Sequence, residues 1–292
     1  MSTEKRNENF MLKQSRYSKG KKNVKQYSKN NASKKGGSGK NSYNAYYKKN
    51  DDGFQPKSNG KSNYGKKKYP SKSKGYPKKN AQKPSIKIAF LGGLNEIGKN
   101  ITLVECENDI IIIDCGMAFP DGDMLGVDLV IPDFTYIEQN ADRVKGIILT
   151  HGHEDHIGGL PFLLSKVNVP IYGTPLTLGL VGNKLKEHSL YNQSQLNVIN
   201  AGQSIKLGCM KIDFIHVNHS IPDAVAFAIH TPGGTIVHTG DFKIDCTPIT
   251  GDMIDLSSFA RVGDEGVLAL LSESTNAERP GYTPTERTVS DS

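Results

Sequence analysis

Cysteine is scarce in this sequence of 292 residues, and the four cysteines present lie far apart. They form no C-x-x-C pair, which argues against a thiolate zinc site and against a disulfide framework. The sequence also lacks an apolar stretch of the roughly 20 residues that a membrane span needs, and its N-terminus lacks the apolar core of a signal peptide. We therefore expect a protein of the reducing cytoplasm that does not enter a membrane.

The first 80 residues contain few acidic and few aliphatic side chains. They hold 23 Lys and Arg against 4 Asp and Glu and contain no isoleucine, whereas residues 81–292 carry a net charge of −12. So small an apolar content cannot offset the conformational entropy that folding removes. We therefore predict a disordered basic tail over residues 1–84, followed by a folded domain over residues 85–292.

Lysines and tyrosines are interleaved in this tail, for example in Lys66, Lys67, Lys68 and Tyr69. Lysine neutralises phosphates with release of counterions, and any nucleobase can stack on an aromatic ring. We interpret the tail as a sequence-tolerant segment that binds single-stranded nucleic acid, with these four residues as candidate contacts. A purely solubilising tail is an alternative. An anionic membrane surface is a weaker one, because no amphipathic helix accompanies the charge.

Hydrophobic patterns in the folded part predict strands first and then alternating helices and strands. The predicted strands cover residues 86–91, 101–106, 110–114, 146–149, 170–173, 207–217, 224–231 and 235–239. The predicted helices cover residues 136–142, a segment that begins at 160, and residues 174–188. The expected fold class is therefore mixed α/β.

A glycine-rich loop, residues 92–100, separates the first two predicted strands. It lacks both the G-x-G-x-x-G pattern and the G-K-[ST] ending of the common phosphate-binding loops. We interpret it as a structural turn.

The stretch from His151 to His156 places three imidazoles and two carboxylates in six consecutive positions, directly after a buried-strand pattern. Such groups would repel or titrate one another at a strand end, whereas a divalent cation turns their crowding into attraction. His151 and His153 can face one ion, and Asp155 and His156 can face a second. A polar surface loop, a structural zinc site and a metal-sensing module are weaker alternatives.

Three more candidate site residues follow predicted strands. His219 would complete the coordination of the first ion, Asp241 could bridge both ions, and Asp114 could cap a turn or orient a metal ligand by hydrogen bonding. Imidazole and carboxylate donors without thiolate suit Zn²⁺, with Mn²⁺ as the rival. Two such ions lower the pKa of a shared water to about 7. The site therefore predicts a hydrolase, with Asp155, His156 and Asp241 as candidate catalytic residues.

The other histidines carry weaker signals. His188 lies near a predicted helix end, where the helix dipole stabilises a cation. His216, His230 and His238 lie inside predicted strands. We interpret all four as structural.

The hexapeptide from His151 to His156 matches His-x-His-x-Asp-His, the hallmark of the metallo-β-lactamase superfamily. Four further stretches together resemble the bacterial ribonuclease J family of β-CASP ribonucleases, and the resemblance covers roughly residues 86–289. These stretches are residues 92–100, 217–223, 239–243 and 274–281. The resemblance implies an αββα sandwich, incomplete in this chain.

The same resemblance implies roles for the candidate residues. It implies one zinc ion on His151, His153 and His219, a second on Asp155 and His156, a bridging Asp241 and a structural Asp114. A hydroxide shared by the two ions would attack an RNA phosphodiester and leave 5′-phosphate and 3′-hydroxyl ends. Members of the family trim RNA from the 5′ end and also cut it internally, in RNA processing and decay. RNA is therefore the expected partner, and we expect the full-length protein to form homo-oligomers.

Family members continue for several hundred residues, with a β-CASP domain, the remainder of the metallo-β-lactamase domain and a C-terminal domain. This sequence stops at Ser292, where the β-CASP domain would begin. We therefore expect an N-terminal fragment that binds metal weakly and has little or no nuclease activity alone. A small-molecule hydrolase of the thioesterase or lactonase type and an inactive RNA-binding remnant are the alternatives.

Overall fold

The computed structural model describes residues 83–249 and 251–290. The predicted tail therefore lies almost entirely outside the described residues, as do its four candidate nucleic-acid contacts, Lys66, Lys67, Lys68 and Tyr69. In the part of the chain that is described, no helix is long and apolar enough to cross a membrane.

Eleven strands in the described residues form two sheets. The first sheet has the order β1-β2-β3-β4-β5-β6, and its strands are β1 (Ile86–Gly92), β2 (Ile101–Cys106), β3 (Asp109–Ile113), β4 (Val144–Ile148), β5 (Ile171–Gly173) and β6 (Leu196–Val198). The second sheet has the order β11-β10-β9-β8-β7, and its strands are β7 (Ser204–Leu207), β8 (Met210–His216), β9 (Val225–Thr231), β10 (Gly234–His238) and β11 (Ala269–Leu271).

Helices cover the outer faces of the two sheets. The described helices are α1 (Thr135–Gln139), α2 (Glu154–Ile157), α3 (Leu160–Leu164), α4 (Pro175–Glu187), α5 (Leu256–Glu265) and α6 (Glu286–Ser290), with short 3-10 turns at Ala141–Arg143 and Tyr191–Gln193. Side chains of α3 and α4 pack against the first sheet, and Val262 of α5 packs against the second. The layers are therefore helix, sheet, sheet and helix, which confirms the predicted αββα class.

Alternation along the strands explains how each sheet buries both of its faces. In β3, Ile110 and Ile112 point toward the helices, whereas Ile111 and Ile113 point toward the second sheet. In β9, Phe227 points toward the first sheet and lies T-shaped against another phenylalanine, with 5.3 Å between the ring centroids. A strand buried on both faces needs apolar residues at every position. This is why β3 reads as a continuous isoleucine run.

One buried carboxylate ties the first sheet to the segment that follows α1. Glu105 on β2 accepts hydrogen bonds from Lys87 at 2.9 Å and from Tyr136 at 2.8 Å, and it pairs with Arg143 at 2.7 Å. Burial raises the pKa of this carboxyl group, but the hydrogen bonds from Arg143, Lys87 and Tyr136 outweigh burial and lower the pKa to about 2.

Most of the predicted elements are present, and the differences have local causes. The pattern over 207–217 was predicted as one strand, but the chain reverses at Gly208, which has a φ of +57°, so that β7 and β8 form a hairpin. Asp109 holds this turn by accepting the Cys209 N–H at 2.7 Å. The sequence did not predict α2, β6, α5, β11 or α6. The two strands have only three residues each, too few for a period to be recognised.

Candidate metal centre

The candidate donors lie where strand ends from both sheets meet. Asp114 and Thr150 follow the carboxyl ends of β3 and β4, which are parallel neighbours. His219 and Asp241 follow β8 and β10, which both pair antiparallel with β9, so that their carboxyl ends share one edge of the second sheet. The Val225 N–H donates to the Thr150 carbonyl at 2.9 Å and joins the two edges. The topology therefore brings together residues that are distant in the sequence.

Three imidazoles form the first group of donors. His151 Nε2 lies 3.0 Å from His153 Nδ1, and His219 Nε2 lies 3.2 Å from the same nitrogen. One ring nitrogen from each residue can be chosen so that all three lie within 4.8 Å of one another. His151 is fully buried, whereas His153 and His219 are partly exposed toward the solvent side. Three ring nitrogens converging on one point form a donor set for a divalent cation.

A second group shares a member with the first. His151, His156 and Asp241 also present donor atoms within 4.8 Å of one another. Asp241 Oδ2 lies 3.5 Å from His156 Nε2 and 3.7 Å from His219 Nε2, and therefore lies between the two groups. This position is where a bridging carboxylate would be expected.

The structure differs from the sequence-based grouping in two respects. His151 is predicted to hold the first ion alone, but it presents a donor atom within 4.8 Å of the other members of both groups. Asp155 had been assigned to the second ion, and its Oδ2 lies 3.5 Å from His156 Nε2, at the side of the second group. Its side chain remains 35% exposed. Asp155 is thus adjacent to the centre without belonging to either compact triad.

Asp114 orients residues of the centre through hydrogen bonds. Its Oδ1 accepts the Thr150 N–H at 2.8 Å, and its Oδ2 accepts both the Thr150 hydroxyl and His156 Nδ1 at 2.8 Å each. Because Thr150 gives its single hydroxyl proton to Asp114, its oxygen can only accept from His151 Nδ1, which lies 3.0 Å away. Both imidazoles therefore carry a proton on Nδ1 and turn Nε2 toward the site.

Burial and neighbouring charges set the protonation of these groups in opposite directions. Burial lowers the pKa of His151 to about 2, with help from the positive charge of His156. Burial also lowers the pKa of His156, but the carboxylates of Asp114 and Asp241 outweigh it and raise that pKa to about 10. Burial raises the pKa of Asp241, yet the hydrogen bond and charge of His156 lower it to about 2. In the absence of a metal, a proton on His156 thus supplies the positive charge that Asp241 faces.

Two glycines permit the close approach of the segments around the centre. Gly116 lies against the Asp155 carbonyl oxygen, and a Cβ at this position would collide with that oxygen. Gly240 has a φ of +57°, and a Cβ there would lie 3.0 Å from the Thr150 Cβ. No local pattern indicates the role of Gly116, whereas Gly240 directly precedes the predicted ligand Asp241.

The remaining histidines have different surroundings. His188 ends α4 and packs against Phe162, with 5.5 Å between ring centroids. His230 pairs with Asp213 at 3.0 Å on the outer face of the second sheet. His216 approaches a backbone carbonyl at 3.0 Å. His238, in contrast, lines the cavity beside the centre, which its position in a strand pattern did not predict.

A cavity of about 700 Å³ opens next to the second group of donors. The glycine-rich loop lines one side of it, and residues 270–276 line the other. Asp155, His156 and Asp241 also line it. The loop at 92–100, which the sequence indicated as a structural turn, therefore also forms a wall of the candidate site. The absence of a phosphate-binding motif from this loop could not predict that the loop lines the cavity, because that placement depends on the fold.

The donor set fits a divalent metal. The donors are imidazole nitrogens and carboxylate oxygens, two of the imidazoles have their tautomers fixed by hydrogen bonds, and the carboxylate between the groups is ionised. The four cysteines are free, and none belongs to a donor group found in the described residues.

Two sheets between helices, with histidine and aspartate donors at their shared edge, define the metallo-β-lactamase class of metal-binding folds. Residues 94–271 match the sequence model of the Metallo-beta-lactamase superfamily, and the chain belongs to this superfamily. A solved structure of a protein of unknown function from Enterococcus faecalis V583 shares the fold, with a TM-score of 0.52 and 17% sequence identity. The likeness covers 69% of this chain and 52% of that one.

Within the superfamily, the chain resembles ribonuclease J proteins, as its motifs predict. It is 50% identical over 207 residues to ribonuclease J 1 of Streptococcus pyogenes, covering 71% of this chain and 37% of the relative. It is 48% identical over 213 residues to ribonuclease J2 of Bacillus subtilis, covering 73% of this chain and 38% of that relative. The chain thus spans little more than a third of the length of these relatives.

Proposed function

We propose that this protein is a metal-dependent ribonuclease of the ribonuclease J type, which hydrolyses phosphodiester bonds in RNA. The proposal rests mainly on the position of Asp241, because its Oδ2 lies within 3.7 Å of a histidine from each donor group. The names of the half-identical relatives support RNA as the substrate. By the same resemblance, the reaction would combine 5′-to-3′ exonuclease and endonuclease action in RNA processing and decay.

The proposed cofactor is a pair of zinc ions, with Mn²⁺ as the alternative. His151, His153 and His219 would hold one ion, Asp155 and His156 would hold the other, and Asp241 would lie between them. Bound ions of this kind supply Lewis acidity and lower the pKa of water toward neutrality. Asp155, His156 and Asp241 are the proposed catalytic residues, because they line the cavity beside the centre.

The protein side chains contribute order and charge. Asp114 and Thr150 hold protons on Nδ1 of His156 and His151, so that Nε2 is the nitrogen that each ring would offer to an ion. The ionised Asp241 provides negative charge where cations would collect. These groups are held by backbone at strand ends, and therefore need little rearrangement when ligands bind.

We propose that the basic tail supplies the affinity for RNA that the folded part lacks. Residues 81–292 carry a net charge of −12 and would repel a polyanion, whereas residues 1–80 carry +19. Lysines 66–68 would contact phosphates and Tyr69 would stack on a base. A cytoplasmic location and homo-oligomers of the full-length protein belong to the same proposal.

Hydrolysis of 5′-monophosphorylated RNA tests the function. The metal-loaded chain should release nucleotides or shorter RNA at a low rate, because it spans little more than a third of the length of its relatives. Asp241→Asn should reduce that rate at least about 100-fold, as removal of a central electrostatic group does. Asp213→Asn, a change on the outer face of the second sheet, is the matched control and should leave the rate unchanged. Hydrolysis of a thioester or lactone substrate, with no RNA cleavage under any metal, would replace the proposal with a small-molecule hydrolase.

A further inference from the structure

Asn100 lies against the donors proposed for the second ion, although nothing in its sequence position indicates a ligand. It ends the glycine-rich loop and directly precedes β2. Its side-chain nitrogen Nδ2 lies 3.0 Å from the Asp155 carbonyl oxygen, 3.2 Å from Asp155 Oδ2 and 3.1 Å from His156 Nε2. The amide therefore touches both residues of the Asp155-His156 pair.

The number of protons on the Asn100 amide nitrogen determines which of these contacts can be hydrogen bonds at the same time. An asparagine amide nitrogen has two protons, and two oxygens of Asp155 lie within hydrogen-bond distance of it. The Asp155 carbonyl and carboxylate oxygens can use both protons, so the amide has no proton left for His156 Nε2. Among the described residues, Asn100 is the hydrogen-bond donor to the Asp155 carboxylate. The amide thus fixes the direction of that carboxylate and leaves the histidine nitrogen available.

The backbone around Asn100 makes this geometry rigid. The Asn100 N–H donates to the Asp155 carbonyl at 3.0 Å, and the Asn100 carbonyl accepts the Gly116 N–H at 2.9 Å. Gly93, with a φ of +80°, lies so close that a Cβ would meet the Asn100 side-chain oxygen at 2.5 Å. The amide is therefore confined on one side by the glycine-rich loop and on the other by α2.

We propose that Asn100 is a positioning residue for the second metal ion and acts through Asp155. This inference rests on the proposed two-metal site and adds a residue to it. Asp155 is the exposed member of the pair, so without the amide its carboxylate is free to turn into solvent. Among the described residues, the side-chain hydrogen-bond partners of Asn100 are Asp155 and His156, so the triad of His151, His153 and His219 should keep its own ion.

Zinc titration of the full chain, with the bound ions counted after equilibrium dialysis, tests the role of Asn100. Asn100→Ala and Asn100→Leu both remove the donor without adding a metal ligand. Each should weaken the second ion about 10-fold to 100-fold, the range found when partners of metal ligands are removed. Affinity for the first ion should change less than about 2-fold. Asn183→Ala, on the exposed face of α4, is the matched control and should bind both ions like the wild type.

The outcomes separate this proposal from the two-metal function itself. A wild-type chain that binds a single ion would refute the two-metal site on which the proposal rests. Two ions bound with unchanged affinity by both Asn100 variants would overturn the role of Asn100 while leaving the site intact. Loss of both ions in both variants would also overturn it, because Asn100 would then support the whole domain rather than one carboxylate.

Discussion

Replacement of Asp114 by asparagine should destabilise the folded domain and weaken metal binding together. Asp114 is 2% exposed and accepts three hydrogen bonds at 2.8 Å, two from Thr150 and one from His156. An amide keeps one oxygen, so at least one buried donor then faces an NH₂ group. A lost charge-assisted bond costs about 1.5–3 kcal/mol, and an unsatisfied buried donor costs about 1–3 kcal/mol. We expect a loss of about 3–4 kcal/mol in the free energy of unfolding.

Urea unfolding of the metal-free chain measures this loss as a shift in midpoint at constant slope. Asp128→Asn, a neutralisation in an exposed loop, is the control and should change the free energy by less than about 0.5 kcal/mol. Zinc affinity of Asp114→Asn should fall about 10-fold to 100-fold, because His156 and His151 lose the groups that fix their tautomers. An Asp114 variant as stable as the Asp128 control would refute the assignment of Asp114 as the organising carboxylate.

Three further predictions concern other parts of the chain. Because the pKa of Glu105 is lowered from 4.5 to about 2 in the fold, the stability that it contributes is complete above about pH 4.5 and is lost as pH falls toward 2. Glu105→Gln should lower the free energy of unfolding by about 1–2 kcal/mol at pH 7, after allowance for solvent screening. Thermal unfolding at pH 7 and pH 3 should show a smaller loss of stability at pH 3. The control Glu138→Gln, in an exposed pair with Lys166, should lower the free energy of unfolding by less than about 0.5 kcal/mol at both pH values. Deletion of residues 1–84 should lower RNA affinity and flatten its dependence on salt in filter-binding assays, and unchanged binding would reject the role of the tail. In a matched RNA cleavage assay, the chain should turn over more slowly than ribonuclease J 1 of Streptococcus pyogenes, of which its matching part covers 37%; equal turnover would show that the additional part of the relative is dispensable.

Much of the centre could be predicted from local patterns. The cluster from His151 to His156 follows an apolar strand, and crowding of charged donors at such a place has few stable explanations besides a metal. His219 and Asp241 could be predicted as donors because each lies shortly after the end of a strand. Parallel strands, or strands that share an antiparallel neighbour, end at the same edge of a sheet. Residues at strand ends could therefore be expected to lie close together, even without knowledge of the complete fold.

Other contributions depend on contacts that sequence does not encode locally. Asn100 precedes the residue it touches by 55 positions, and its donor role requires knowledge of where α2 packs. His151 presents a donor atom to both groups, and this depends on which strand ends the fold brings together. In contrast, α5 was not predicted although the sequence contains a suitable N-cap residue. Asp255 caps this helix by accepting the Ser258 N–H at 3.0 Å.

Counting zinc ions bound by single-histidine variants tests the two-group centre most directly. The wild-type chain should bind two ions at saturating zinc, and His151→Ala and His153→Ala should each keep one, because both residues are proposed ligands of the first ion. His188→Ala, at the end of α4, should bind two ions like the wild type. Two ions retained by His151→Ala, or an equal loss in His188→Ala, would contradict the two-group metal centre.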